Sequence, residues 1–488
     1  LLSTFDTITN KESYIYRFSW DKEDLLSYPW KEHYVKQPEV LAYLNHVVDK
    51  YDLRKHMQFN TELLSANWDD TKNVWRVEVS TGETFTARYF VTALGLLSKQ
   101  NYPDIKGIET YKGEMYHTSK WPQTFDFTGK RAGVIGCGST GVQVITDIAK
   151  RVKSLTCFQR HPQYSVPSGD GPVSQDYREY VNKNYDEIFD QVRHSITAFG
   201  FKESTIPAMS VSPEERERIF QENWDKGNGF RFMFGTFCDI TYDKEANEAA
   251  CEFIRRKIAQ IVKDPEKARK LIPHDWYARR PLCDGGYFDQ FNRENVDVVN
   301  LTETPITEMT EKSIKTSDGK EYELDVVILA TGFDAVDGNY TRVRIHGRNG
   351  KTLKNHWKEG PTSYLGVCVP NFPNLFMITG PNGPFTNIPP TIETHVEFIT
   401  KAIKLAEQNK RVVEATQEAE NGWSETCEQL AVNSLFKVTD SWVGLPIQVR
   451  HQFTDRLGLW REHTRQETCT HVLLRRSTEL PRKAEGGG

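Results

Sequence analysis

Gly136, Gly138 and Gly141, with Ser139 and Thr140 between the last two, form a GxGxxG run between a short apolar stretch and an amphipathic one. In that setting the first glycine permits a tight turn, the second lets the backbone approach a pyrophosphate, and the third lets helix and strand pack closely. The phosphates would lie at the helix N-terminus, where N–H groups are unpaired. About twenty residues further on, where an acid would hold the ribose hydroxyls of NAD or FAD, the sequence instead reads Phe158-Gln159-Arg160-His161. Arg160, with His161 beside it, suits a 2′-phosphate and so favours NADP over NAD. The bland alternative for Arg160 is a solvated cation at a strand end. A second basic pair lies in Ala278-Arg279-Arg280-Pro281. On residue types alone it reads as surface cations beside a loop.

These residues need elements to hold them. Lys130–Lys150 predicts a βα unit: a short apolar strand, the glycine turn, then a helix with Val142, Val144, Ile145 and Ile148 on its inner side. Trp75–Gly95 predicts a strand, a Thr81-Gly82 turn, a second strand and a buried run from Tyr89 to Leu94. The same design recurs at Ile314–Asp334, with its turn at Asp318-Gly319 and a buried strand from Val326 to Ala330. Two such units suggest two nucleotide-binding domains; two unrelated hairpins remain the alternative. Between them, Tyr177, Tyr180, Val181, Tyr185, Ile188, Phe189 and Val192 recur at helical spacing. Ser212-Pro213-Glu214-Glu215 opens another helix, with Ser212 as cap and Glu215 as its reciprocal acid. Residues 171–270 therefore read as a helical block.

The chain has 488 residues, enough for two or three domains, and a formal net charge of -5 with both signs interspersed. No basic stripe for nucleic acid is present, which points to small-molecule chemistry. The eight cysteines form no CxxC pair or finger spacing, and the expectation is a reducing, cytoplasmic setting. No apolar run is long enough to span a bilayer, and no metal site is expected.

Just ahead of the glycine unit stands Tyr111-Lys-Gly113-Glu-Met-Tyr-His117-Thr-Ser-Lys-Trp121-Pro122. By spacing alone His117 is a linker histidine satisfied by backbone carbonyls. The stretch, however, closely resembles the FxGxxxHxxxWP fingerprint of Baeyer-Villiger monooxygenases, with Tyr111 replacing the usual Phe. From Glu12 to Trp442 the chain resembles the cyclohexanone monooxygenase branch of that family through YIYRFSW, TALGLLS, VIGCGSTGVQVI, FQRHPQYSVP, ARRPLCDGGYF, ATGFDAVDGNY, GPNGPFTN and TDSW.

The resemblance implies an α/β fold of two Rossmann-like dinucleotide-binding domains, for FAD and NADP, with a helical insertion in the NADP domain. It divides the chain into a first FAD part (1–122), a first NADP part (128–165), a helical subdomain (166–277), a second NADP part (278–328), a second FAD part (329–442) and a divergent tail (443–488). It implies FAD and NADPH as cofactors and a ketone and O2 as substrates. Hydride passes from NADPH to FAD, and a C4a-peroxyflavin attacks the carbonyl to give an ester or lactone. By the same resemblance Arg280 is the active-site arginine, holding the anionic oxidant and then the oxyanion of the adduct. Arg279 stands where relatives have a lysine on the NADP 2′-phosphate. Trp442 matches a tryptophan that closes over NADP, although as sequence it reads more simply as a core aromatic. Asn382 and Phe385 fall where relatives line the flavin and the substrate cavity.

Three departures qualify this pattern. A first GxGxxG and its ribose-binding acid do not occur in the chain, so the first βα unit of the FAD domain and much of its grip on FAD are expected to be missing. The family's active-site aspartate falls on Asn10, with Asp6 out of register, and residues 1–11 depart from the pattern. After Trp442 the tail is Arg-rich and dissimilar. Two other readings stay open: a flavin N- or S-oxygenase, which would not need Arg280, and an inactive NADP-binding fragment. The sequence leaves the ketone and the oligomeric state undetermined.

Overall fold

The computed structural model describes residues 12–439, except 96, 98, 123, 335–337 and 384–385, together with the backbone of Val472–Arg476. Of the residues expected to carry function, Phe385 and Trp442 lie outside the described set. The chain divides into two compact units. Unit 1 draws on Leu1–Met57, Ser98–Asp334 and Asn433–Val443, and unit 2 on Gln58–Leu97, Ala335–Val432 and Gly444–Gly488.

Unit 1 is built on a five-stranded parallel sheet. Its strands are β1 (Glu114–His117), β2 (Arg131–Ile135), β3 (Ser154–Gln159), a short β4 outside the sheet (Leu282–Asp284), β5 (Val296–Asn300) and β6 (Val326–Leu329). The sheet order is β5-β3-β2-β6-β1. Parallel strands are covered on both faces, which is why β2 and β6 are continuous apolar runs and not alternating ones. All four residues of β6 are buried. Helix α1 (Ser139–Ile148) follows β2 and buries Val142, Val144, Ile145 and Ile148 as its spacing predicts. Each such side chain contributes roughly 1.5–3 kcal/mol by leaving water. The chain leaves β2 toward β3 on one side while β6 flanks β2 on the other, so the switch point of the sheet lies at the C-terminal ends of β2 and β6. Ligands of open α/β sheets bind at such a point.

The helical block comprises α2 (Gln175–Lys183), α3 (Tyr185–His194), α4 (Pro213–Lys226), α5 (Gly229–Gly235) and α6 (Lys244–Ile261). The stripe from Tyr177 to Val192 is not one helix. Asn184 ends α2 and precedes α3, and Tyr180 is 60% exposed while Tyr185, Phe189 and Val192 are buried. Ser212 does cap α4, its Oγ accepting from Glu215 N at 3.3 Å with Pro213 in the first turn. The expected reciprocal bond from Glu215 is replaced by a two-pronged pairing with Arg218, at 2.8 Å from both Nε and Nη2. A guanidinium one turn along offers two donors where the cap offers one. The excursion before β6 is a three-stranded antiparallel sheet, Ile306–Met309, Ser313–Thr316 and Glu321–Glu323, turning at Gly319 with φ +81°.

Unit 2 contains a four-stranded sheet in the order Arg344–His346, Leu63–Asp69, Val74–Val79, Thr84–Ala87. The first pair is parallel and the others antiparallel. The Thr81-Gly82 turn lies where expected, with Gly82 at φ +84°. The run after it shortens to Phe90–Thr92, pairs in parallel with Leu375–Met377, and leaves Val91 43% exposed. Trp75 is fully buried in this core, and its Nε1 donates to Pro373 O at 2.8 Å. A long helix, α7 (Ile388–Asn409), completes the unit. No helix among the described residues is long and apolar enough to cross a membrane.

Replacing Trp75 by Ala should lower the unfolding free energy by about 3–5 kcal/mol. Trp75→Phe, which keeps a ring but strands the Pro373 carbonyl, should cost about 1–3 kcal/mol. Urea titrations of both variants measure the difference.

Candidate functional site

The glycine turn follows β2 directly. Gly136 has φ +104°, and a Cβ there would stand 2.5 Å from Ala330 O, just past the end of β6. A Cβ on Gly141 would stand 2.2 Å from Gly136 O. Gly138 differs: nothing lies within 4 Å of its would-be Cβ. Two glycines therefore serve backbone packing, and the third leaves an open face. Gly138 is the N-cap of α1 and supplies no side-chain cap. The first N–H groups of that helix, at Ser139 and Thr140, thus remain available for an anion.

Cys137 Sγ donates to His161 O at 3.1 Å, tying the glycine turn to the segment after β3. Arg160 is exposed at that strand end. Asp275 gathers the remaining basic side chains of this corner: Arg279 Nη2 donates to its Oδ2 at 2.5 Å, and His161 Nδ1 lies 3.9 Å from the same oxygen. Burial pushes the Cys137 thiol up to about 12, and the Arg279 charge acts against that rise, so Arg279 is within electrostatic reach of the glycine turn. The structure thereby brings Gly136–Gly141, His161 and Arg279 to one corner. An open glycine, an uncapped helix start and convergent basic side chains fit the diphosphate and 2′-phosphate of NADP.

Arg280, the next residue, has different surroundings. It is half-buried, and among the described residues its guanidinium has no hydrogen bond and no ion pair. Loss of water lowers its pKa, while Cys283 and Tyr16 act in the opposite direction. A desolvated cation without a carboxylate is costly unless an anion completes it. It sits just ahead of β4, which pairs in parallel with Ser165–Pro167. The buried carboxylate of β4, Asp284, does not serve it: Asp284 accepts from the Ser165 hydroxyl and from Gly286 N and Tyr287 N at 2.8 and 2.9 Å.

The Tyr111–Pro122 stretch is fastened to the β1 edge of the sheet. The Tyr111 hydroxyl donates to Leu324 O at 3.0 Å, and a Cβ on Gly113 would stand 2.3 Å from the Tyr111 hydroxyl and 2.9 Å from Asp325 O. His117 ends β1, with Nε2 3.1 Å from Gly332 O and Nδ1 2.8 Å from Ser119 Oγ. A carbonyl only accepts, so Nε2 carries the proton and Nδ1 accepts from Ser119, whose backbone N also lies 3.3 Å away. Burial lowers the His117 pKa, as a neutral imidazole between these partners requires. Trp121, beside Pro122, stacks on Phe127 with centroids 5.2 Å apart.

In unit 2 the loop before α7 carries Asn382, 3% exposed and at φ +58°. Its backbone carbonyl accepts from Trp423 Nε1 at 2.9 Å, but its buried Oδ1 has no partner among the described residues. Thr391 Oγ1, in the first turn of α7 and fully buried, likewise has no partner among the described residues. Residue 387 provides no side-chain cap to this 22-residue helix. Gly366 and Gly383 bring two backbone segments together, a Cβ on Gly366 standing 2.4 Å from Gly383 Cα. Buried polar atoms left unpaired near a helix start fit the polar edge of a flavin better than a closed core.

Sequence reasoning missed Asp275, which binds Arg279 from four residues away, and Glu12, whose partners are remote in sequence. No cluster of His, Cys, Asp or Glu among the described residues could hold a metal.

Fold and site together define a pyridine-nucleotide flavoprotein. Residues 17–223 match the pyridine nucleotide-disulphide oxidoreductase family. The chain is 52% identical over 437 residues to cyclohexanone 1,2-monooxygenase from an Acinetobacter species, covering 89% of this chain and 80% of that protein. It is 49% identical over 433 residues to phenazine N-monooxygenase PhzNO1 from Lysobacter antibioticus, covering 88% and 80%. The crystal structure of cyclohexanone monooxygenase from Rhodococcus sp. Phi1 bound to NADP+ superposes with a TM-score of 0.94 at 50% identity, over 97% of this chain and 91% of that one. The chain belongs to the Baeyer-Villiger monooxygenase family, whose cofactors are FAD and NADP(H).

Gly141→Ala should weaken NADPH binding at least tenfold by displacing the Gly136 carbonyl, as read by the quenching of nucleotide fluorescence. His117 contributes a pH dependence of stability. Its folded pKa lies below the unfolded value of about 6.5, so the unfolded chain takes up the proton first and stability is lost as pH falls through that value. Unfolding titrations at pH 7 and pH 5 should show a smaller loss in His117→Gln than in the wild type. His395, pushed down to about 3 by complete burial, adds an acid loss common to both.

Proposed function

We propose that this chain oxidises a ketone to an ester or lactone, consuming NADPH and O2, with Arg280 as the residue that makes carbonyl attack work. The observation that supports this most is a half-buried guanidinium with no carboxylate partner among the described residues. When bound, NADPH and FAD supply the electrons and the activated oxygen.

Oxygen insertion next to a carbonyl builds negative charge on the carbonyl oxygen as its carbon is attacked. An arginine is suited to hold that charge, because it stays protonated under conditions where a lysine would titrate. A carboxylate partner would already have satisfied it. With none among the described residues, Arg280 is left to take an anion, and little reorganisation is needed when that anion forms.

The nucleotide corner has a separate task in this reading. Gly138, Ser139 and Thr140 receive the diphosphate, and Arg279, His161 and Arg160 receive the 2′-phosphate. Asp275 holds Arg279 in place and offsets part of its charge. In unit 2, Asn382 and Thr391 would offer hydrogen bonds to the flavin, and Phe385 and Trp442 are assigned to the substrate cavity and to closure over NADP by the family pattern alone.

Transfer of oxygen to a soft nitrogen or sulfur needs no cation beside a carbonyl, so Arg280 also separates ketone oxidation from amine or sulfide oxidation. In Arg280→Ala, product formation from a cyclic ketone should fall by three or more orders of magnitude, on the scale of lost charge stabilisation. NADPH oxidation should largely persist, its electrons appearing as hydrogen peroxide. Parallel assays of ester, NADPH and peroxide read this out. Equal retention of ketone and sulfide oxidation in the variant would overturn the assignment.

A further inference from the structure

A carboxylate that the proposed reaction does not use is enclosed within unit 1. Glu12 heads the short turn Ser13–Ile15, and its side chain is 13% exposed. Its Oε2 meets His33 Nδ1 at 3.3 Å and accepts a short hydrogen bond from the Tyr177 hydroxyl, and its Oε1 accepts from Arg231 Nη2 at 3.3 Å. The donors come from three places: the segment before the helix Gln37–Lys50, helix α2 and helix α5. Burial by itself would raise the Glu12 pKa, but His33, Tyr177 and the Arg231 charge hold it below the ordinary value. Glu12 is therefore a charged group that fixes all three elements.

Two of its connections run toward Arg280. The first is the turn that Glu12 begins. Ser13 N donates to His33 O at 2.7 Å and the Tyr185 hydroxyl to Tyr14 O at 2.6 Å, so the first two residues of the turn are held. Tyr16, at its close, is within electrostatic reach of Arg280. The second connection is α5. Asn228, at φ +76°, caps α5 by accepting from Phe230 N at 2.9 Å and Arg231 N at 3.3 Å, and its Nδ2 donates to the Tyr34 hydroxyl at 3.1 Å. Gly229, the first residue of α5, lies against the segment that follows Arg280. A Cβ there would stand 2.5 Å from Leu282 O and 3.2 Å from Pro281 Cβ. Gly229 N also donates to Cys283 Sγ at 3.2 Å, and the Tyr277 hydroxyl donates to Gly229 O at 3.1 Å.

We propose that Glu12 is a positioning residue for Arg280: through Arg231 it seats α5 on the Pro281–Cys283 segment, and through its own backbone it places the turn bearing Tyr16. The segment that follows the guanidinium is thus held by α5, and no carboxylate among the described residues neutralises Arg280. This inference rests on the role proposed for Arg280 and names what keeps that residue in place.

The test uses the FAD-loaded enzyme and two readouts. One is the rate at which N-ethylmaleimide labels Cys283, followed by peptide mass spectrometry, with the fully buried Cys251 of α6 as an internal gauge of global opening. The other is the fraction of consumed NADPH recovered as oxygenated ketone. In Glu12→Gln, Cys283 labelling should rise about tenfold, as expected for local opening by a small free-energy change. Cys251 labelling should stay unchanged, and the coupled fraction should fall severalfold. Arg231→Gln should reproduce both effects, and the double variant should be no worse than either single one, because the pair acts as a unit. If Glu12→Gln does not accumulate as holoenzyme, Tyr177→Phe removes one donor while keeping the ring and should move both readouts about two- to threefold in the same sense. Unchanged Cys283 labelling, or Cys251 labelling that rises in step with it, overturns the proposal. Arg280→Ala run alongside separates the two ideas. If it leaves coupling intact, the role of Arg280 fails; if it uncouples while Glu12→Gln and Tyr177→Phe do not, only the positioning role fails.

Discussion

Between Gly136 and Ala330 the ends of two parallel strands come so close that a single methyl group would collide with a carbonyl. That approach places the glycine turn at the switch point of the sheet and sets the direction in which α1 starts. The packing of Gly141 on Gly136 then brings the helix down onto the strand, and Gly138 is left as the open position. The segment bearing His161 is tied back to this turn through Cys137, and Arg279 reaches the same corner. A nucleotide site of this kind is a property of backbone packing first and of side-chain chemistry second.

Two adjacent arginines show how environment divides one residue type between tasks. Arg279 has its carboxylate partner in Asp275, and that pairing suits the phosphate-binding role proposed for it. Arg280 has no such partner among the described residues and is partly withdrawn from water. The first arrangement is stable by itself, and the second would be completed by the anion proposed for it.

The glycine turn, the βα unit around it and the helical block could be read from residue spacing because each depends on neighbours a few positions away. The same holds for the turns at Gly82 and Gly319. Spacing misjudged Tyr177–Val192, since an apolar stripe reports a face and not continuity, and Asn184 interrupts the helix while keeping most of the stripe on one side. Glu12 was illegible for a different reason. Its partners lie 21, 165 and 219 residues away, and no local pattern distinguishes a carboxylate that will be enclosed by a histidine, a tyrosine and an arginine from one that will face water. The fingerprint around His117 was recognised by resemblance, and its geometry now has a physical account: a neutral imidazole joining the end of β1 to the backbone beyond β6.

The sheet of unit 2 joins Leu63–Asp69 to Arg344–His346, with Ser65 opposite Arg344. The chain that makes up most of unit 1 is synthesised between the two. On a ribosome adding about 5–20 residues per second, the strand Leu63–Asp69 waits roughly a quarter of a minute to a minute for its parallel neighbour. During that interval its hairpin partner Val74–Val79 protects one edge, and the other presents unpaired N–H and C=O groups. The parallel sheet of unit 1 can close meanwhile, because it draws only on residues 114–329. The order of strands along the chain therefore makes unit 2 the later and more exposed stage of folding, and a nascent chain of this protein is most open to mispairing at the edge of Leu63–Asp69.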